Sequence, residues 1–277
     1  MPQTTADRHD ARRRAATSLA ANALVADVAR KLAAPGIPVM PVKGALLQHW
    51  LYDDPTERPL TDVDLLVQPD ALDRAVERLE AEGYRPVARP SAGAVMMQTP
   101  LGLALDLHPT LFDPARYRLP TNELFARGTD DSILFGASVR LPSPLDVYAH
   151  LIGKVGSDHL DARATARLDE IARMARRIDA PPEKVARHLV QCGMRRVSRY
   201  VLPLVHQATS DPFAREVHDR LPFDPIGRGI AAVANLGLPG AGQLSWRGAL
   251  IAHLLNDSLP RGAYSGMRAL LQRAAQR

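Results

Sequence analysis

The sequence predicts an α+β (α/β) fold in which a small mixed sheet with flanking helices is followed by an α-helical bundle. Three observations predict it. Between residues 37 and 142, short β-branched or alternating segments are interleaved with helical ones, the order expected of a mixed sheet with helices packed against it. Within that stretch, Asp62-Val63-Asp64-Leu65-Leu66-Val67 puts two carboxylates on one face of a strand and apolar side chains on the other. Beyond Ser143-Pro144, an N-cap followed by proline at the first helical position, helical patterns follow one another to the end of the chain.

In chain order, Ala15 to Ala33 carries helical spacing and stops at Pro35-Gly36, so residues 1–36 are expected to form an N-terminal helix packed on the core. Ile37 to Val42 is β-branched and punctuated by proline, Lys43-Gly44 makes the turn, and Ala45 to Tyr52 resumes a helical pattern. The polar segment Asp53 to Pro59 leads to the Asp-rich strand. Pro69-Asp70 opens a helix through Glu82, with Leu72, Val76 and Leu79 on one face and Gly83 as its stop. Strands are expected at Tyr84 to Ala88, Ala94 to Gln98, Leu103 to Leu107 and Ser132 to Leu141. Residues 37–142 thus form the α/β domain and 143–277 the helical domain, with helices near 144–155, 164–179, 182–192, 194–208, 211–220, 226–235, 244–257 and 262–275.

Composition narrows the class. The 277 residues suffice for one large domain or two modest ones. No run of eighteen apolar residues indicates a membrane span, and the arginine-rich N-terminus lacks a signal-peptide core. Cys192 is the single cysteine, which excludes an internal disulfide and fits a reducing cytoplasm. The net charge of +5 is spread along the helices and aromatic residues are sparse, which argues against a nucleic-acid partner. Only Lys31, Lys43, Lys154 and Lys184 are lysines among the 35 basic residues, so Lys43 stands out where a compact ammonium differs from a guanidinium.

The chemistry centres on three carboxylates. Two like charges on one strand face repel unless a cation neutralises them. In Leu103-Ala104-Leu105-Asp106-Leu107-His108, alternation brings a third carboxylate and a histidine to one face. Asp62, Asp64 and Asp106 are therefore expected to bind two Mg²⁺ ions, each completing its oxygen shell with water and substrate phosphates. Lys43-Gly44 stands at a helix entrance, where free N–H groups favour an anion, glycine allows close approach and Lys43 adds a point charge. Arg58, just ahead of the strand, is a further phosphate contact, and His108 is expected to orient a metal ligand or donate to a phosphate.

The order Lys43-Gly44, Arg58, Asp62-x-Asp64, Gly83-Tyr84, Asp106-Leu107-His108 resembles the nucleotidyltransferase superfamily typified by DNA polymerase β and the antibiotic adenylyltransferases, and more narrowly the bacterial uncharacterised nucleotidyltransferase group. The resemblance covers roughly residues 37–175. It implies Mg²⁺-dependent transfer of a nucleoside monophosphate from an NTP, with ATP as a candidate, to a hydroxyl of a small-molecule or peptide acceptor. Asp62 and Asp64 would bind metal, and Asp106 would be the third acidic ligand and help to activate the acceptor. One departure is that the superfamily's Gly-Ser before this helix is replaced by Lys43-Gly44, so the serine contact is absent.

Farther on, His150 and Lys154 lie one turn apart on a helix, with His159 beyond, and are candidates to close over nucleotide or acceptor. Asp169 lies on a helix where similar proteins carry an acidic residue. Gly237-Leu238-Pro239-Gly240-Ala241-Gly242 follows a helix and lacks the Gly-Lys-Ser/Thr ending, so it is not a phosphate loop. Two alternatives stand beside the transferase: a degenerate relative that binds nucleotide or a partner as a regulator, and a transferase using another phosphate-activated donor such as a nucleotide sugar. The sequence leaves the acceptor and the oligomeric state open.

Overall fold

The structure is a computed structural model that describes residues 5–88, 93–100, 102–157, 164–229, 253–258, 260, 262 and 264. It divides into two compact units, one comprising residues 1–111 and 120–143, the other 112–119 and 144–277.

The first unit is built on a five-stranded sheet. Helix α1 (Thr5–Ala33) precedes strand β1 (Met40–Val42), helix α2 (Lys43–Leu51), strand β2 (Asp62–Leu66), helix α3 (Leu72–Glu80) and strands β3 (Arg85–Ala88), β4 (Val95–Gln98) and β5 (Ala104–His108). The spatial order is β1-β2-β5-β4-β3, with β2 and β5 parallel and every other neighbour antiparallel. Parallel pairing of β2 with β5 requires a crossover, which α3, β3 and β4 supply. Alternation buries Val63, Leu65, Leu105 and Leu107 in one core with Leu24, Val25, Val28 and Leu32 of α1 and Leu72, Val76 and Leu79 of α3, while Leu66 is buried on the opposite face of β2. Tyr84 joins this core and donates its hydroxyl to Asp27 Oδ2 at 2.7 Å, which also ties the sheet to α1.

Three features differ from the sequence expectation. Helix α1 starts ten residues before Ala15, and its polar residues 9–14 run exposed with an Arg13–Asp10 ion pair instead of an amphipathic stripe. Ser132 to Leu141 is not one strand: Asp131 Oδ1 accepts the N–H groups of Ile133 and Leu134, Gly136 adopts φ +66°, and the chain turns. The result is a hairpin of β6 (Thr129–Asp131) and β7 (Val139–Leu141). Between the sheet and this hairpin lies a helix with no sequence forecast, α4 (Thr121–Arg127), held by buried Leu124 and Phe125.

The second unit is helical in its described residues: α5 (Pro144–Ser157), α6 (Ala164–Ala175), α7 (Pro182–Gln191), α8 (Arg195–Thr209) and α9 (Pro212–Arg220). Gly156 permits close packing of α5 on α8, since a Cβ there would collide with Val197. Phe112 packs edge-on against Tyr117 and His150, and the Arg118 N–H donates to the Cys192 carbonyl, so the 112–119 excursion belongs to this unit. Residues 225–229 are helical, in line with the expected helix at 226. The remainder of that helix, most of the last two expected helices and the Gly237–Gly242 loop lie outside the described residues. No helix among the described residues is long and apolar enough to cross a membrane.

Candidate active site

Register places the charged groups. In the parallel β2–β5 pair Asp64 stands opposite Asp106, Leu66 opposite His108 and Asp62 opposite Ala104. The alternation that sends the leucines into the core therefore brings Asp64, Asp106 and His108 together on the other face. One ligand atom from each lies within 4.8 Å of the other two, the one such group among the described residues. Asp62 shares their face one pleat along and is not part of this tightest group; its carboxylate accepts the Thr61 hydroxyl at 3.1 Å.

Asp64 is buried and doubly engaged. Lys43 Nζ lies 2.5 Å from its Oδ1, His108 Nε2 lies 2.7 Å from the same oxygen, and Lys43 and His108 are 3.1 Å apart. Burial works against the Asp64 charge, but the His108 hydrogen bond and the Lys43 charge outweigh it and hold the carboxyl below the usual carboxylate range. Asp106 is displaced the other way. Burial, then the Asp64 charge, push its carboxyl up, and Asp62 adds to the push. Asp106 Oδ1 is shut off from solvent with no hydrogen-bond partner among the described residues. A buried carboxylate oxygen left without a donor is costly unless a cation uses it.

Lys43 opens α2 with φ +52°, a left-handed conformation that residues with a Cβ rarely adopt. Gly44 follows for a steric reason, because a Cβ there would collide with Leu60 Cδ2 and meet Arg58 Nη1 at 3.0 Å. The Arg58 guanidinium therefore lies against the head of α2. Its loop is fixed by Gln48, whose side chain donates to the Arg58 carbonyl at 2.5 Å and accepts the Ser18 hydroxyl at 3.0 Å. Gln48 had no place among the sequence candidates; a buried amide inside an otherwise apolar helical stretch was its only signal.

The remaining candidates belong to the second unit. Lys154 is half-buried on α5, and His150, one turn before it, is buried edge-on to Phe112. Asp169 forms an ion pair with Arg173 at 2.6 Å along α6. His159 lies outside the described residues.

The residues present fit a divalent cation: two carboxylates and an imidazole converge, and one carboxylate oxygen has no other partner. A mixed sheet that sets carboxylates in register on one face, with a helix head beside them, defines a nucleotidyltransferase-like α+β domain. The chain belongs to the uncharacterised nucleotidyltransferase family, whose model matches residues 2–209, and so falls among enzymes that transfer phosphorus-containing groups. The crystal structure of an antigenic nucleotidyltransferase-like protein from Paracoccidioides brasiliensis is similar at 18% identity and a TM-score of 0.48, covering 71% of this chain and 92% of that one. No curated protein matches the chain.

Proposed function

We infer that this protein transfers a nucleoside monophosphate from an NTP to a hydroxyl of a small-molecule or peptide acceptor, with Mg²⁺ as the divalent cofactor. The observation that carries this reading is the in-register pair Asp64–Asp106 with His108 beside it and a buried Asp106 oxygen that lacks a donor. Asp64 and Asp106 would hold the metal, with Asp62 and His108 adjoining. The metal would neutralise charge on the triphosphate oxygens and acidify the acceptor hydroxyl.

This chain's own groups divide the remaining work. The head of α2, with Lys43 and Arg58 beside it, takes the phosphates, since its first turn carries no acidic residue and its N–H groups favour an anion. The acceptor oxygen attacks the α-phosphorus, the bond from that phosphorus to the bridging oxygen breaks, and pyrophosphate departs. The hydroxyl proton passes to Asp106, the carboxylate that stands in register beside Asp64.

Incubation with Mg²⁺, each α-labelled NTP and a metabolite or peptide pool tests this. Label is expected in an acceptor with the wild-type protein and none with Asp64→Asn/Asp106→Asn. Transfer that survives the double substitution overturns the assignment. In a parallel incubation with a sugar-labelled nucleotide sugar, label in the acceptor, with none transferred from any NTP, would point to a nucleotide-sugar donor.

A further inference from the structure

We propose that the Lys43 ammonium and the divalent cation compete for the same donor atoms, so that metal binding and phosphate binding are coupled through this one side chain. The proposal rests on the metal-dependent reading above and adds an order of events to it: polyphosphate draws Lys43 away and the metal then binds tightly.

Lys43 Nζ, Asp64 Oδ1 and His108 Nε2 form a triangle with sides of 2.5, 2.7 and 3.1 Å. Two of its corners, Asp64 and His108, are also two of the three groups that converge as metal ligands. A protonated lysine has donors and no lone pair, so it cannot join a coordination shell; it acts on a nearby dication only by charge. Charges of +1 and +2 at a separation of ~4 Å repel strongly enough, even at a surface-like dielectric, to shift affinity by at least about tenfold. Either cation satisfies Asp64, and each weakens the other.

The backbone supplies the second half of the argument. Lys43 holds a left-handed φ although its neighbour is a glycine that would adopt it without strain. That conformation roots the lysine at the junction of β1 and α2, where its four-carbon stem serves two destinations. One is the Asp64 carboxylate across the β1–β2 pair, where Val42 is the register partner of Asp64. The other is the head of α2, where Arg58 already lies against Gly44. A phosphate group there offers the ammonium a new anion and frees Asp64 and His108 for the metal. Arginine would serve poorly, because its planar, wider head cannot sit as a point charge between one carboxylate oxygen and one imidazole nitrogen.

Calorimetric titration of the full chain with Mn²⁺, without nucleotide, tests the competition. Lys43→Met is expected to bind Mn²⁺ at least about tenfold more tightly than wild type, and Lys43→Arg no more tightly than wild type. In chelator-treated buffer, inorganic tripolyphosphate is expected to bind Lys43→Met at least about tenfold more weakly. Equal Mn²⁺ affinities for wild type and Lys43→Met overturn the competition and leave the metal site standing. Absence of Mn²⁺ binding in both overturns the metal reading itself, and unchanged tripolyphosphate affinity removes the coupling. Lys43→Gln, neutral and still able to hydrogen-bond Asp64, takes the place of Lys43→Met if far-UV circular dichroism shows that the latter is unfolded.

Discussion

In the second unit the Arg196 guanidinium is buried and held on two of its nitrogens: Nε donates to Asp224 at 2.8 Å, and Nη1 donates to the Leu254 and Asn256 carbonyls. The first two N–H groups of α8, those of Arg195 and Arg196, both donate to Asp257, so a helix head is closed by a carboxylate of the same unit. In the first unit the corresponding features are unfinished. Asp106 keeps a buried oxygen without a donor, Asp64 leans on an ammonium and an imidazole that are both exchangeable, and the first turn of α2 has no acidic residue and no side-chain cap. Both units bury polar atoms that lack a hydrogen-bond partner among the described residues, Arg195 Nε and Ser198 Oγ in the second among them; what sets the first apart is that its atom belongs to a carboxylate, Asp106, facing two further carboxylates, whereas Arg196 and Asp224 answer each other's charge. A matched ion pair specifies a fold, whereas carboxylates that outnumber their cations mark the place where a cation is expected.

The largest expected effects break or confirm that contrast. Arg196→Met takes the nearest cation from Asp224, which keeps only the Gly227 N–H and the more distant Arg195, and removes a donor from two carbonyls; it should lower unfolding free energy by about 3 kcal/mol in urea titrations. Asp106→Asn removes a carboxylate that its surroundings disfavour, and should leave stability unchanged or raised. The same substitution should cost transfer on the order of a thousandfold, the rate equivalent of several kcal/mol of transition-state stabilisation. If Asp106→Asn unfolds the protein as readily as Arg196→Met does, the two networks are of one kind and the first is not a site.

How much of this could be read beforehand depends on the range of the physics involved. Alternation, complete on β5 and broken only by Leu66 on β2, made both strands legible, because a core on one side of a sheet leaves a period of two in the sequence. It also gave the shared face of Asp106 and His108. The pairing of Asp64 with Asp106 was not legible, since register between strands forty residues apart is set by packing of the intervening α3, β3 and β4. The β6–β7 hairpin was lost to an Asx turn at Asp131, a single side chain whose local hydrogen bonds interrupt an otherwise strand-like run. Lys43 and Gly44 were visible as a turn, but the sequence suggested a glycine kept for a phosphate, and the structure shows Leu60 against it.

That contact gives the next prediction. Gly44→Ala forces a methyl group against Leu60 and should cost about 1–3 kcal/mol. Leu60→Ala in the same chain should recover much of the loss, a coupling that a double-mutant cycle in urea would read directly. If Gly44→Ala is neutral in stability yet weakens tripolyphosphate binding, the glycine serves the ligand and not the fold.

Acid titration sharpens the contrast with a smaller effect. Burial opposes the Asp224 charge, but the hydrogen bonds from Arg196 and the Gly227 N–H, together with the Arg196 and Arg195 charges, outweigh it and hold the carboxyl below its ordinary range. A depressed folded value adds stability above the ordinary carboxylate range, and that stability is lost as pH falls through the depressed value. Asp106 has the opposite sign: its raised value adds stability in acid, and that is lost as pH rises through it. In chelator-treated buffer, Asp224→Asn should flatten the acid loss of the urea midpoint, whereas Asp106→Asn should steepen it. Identical slopes for the two variants would erase the difference between the networks.

The smallest effect concerns the backbone. Among the described residues, two non-glycine positions have positive φ: Lys43 at +52° in the first unit and Ser210 at +58° in the second. Ser210 ends α8, and its N–H donates to the His206 carbonyl, so its conformation is explained by a helix stop in which glycine is preferred. Ser210→Gly should therefore stabilise the protein by up to about 1 kcal/mol with transfer unchanged. Lys43 sits at a helix start, where no such stop is required, and its side chain reaches Asp64. Lys43→Gly relieves the same strain but removes that partner, and should bring no comparable gain. Matched thermal melts decide the point: equal stabilisation by both glycines would reduce Lys43 to an ordinary strained turn, while a gain at Ser210 alone ties the strain at Lys43 to the charge it holds in place.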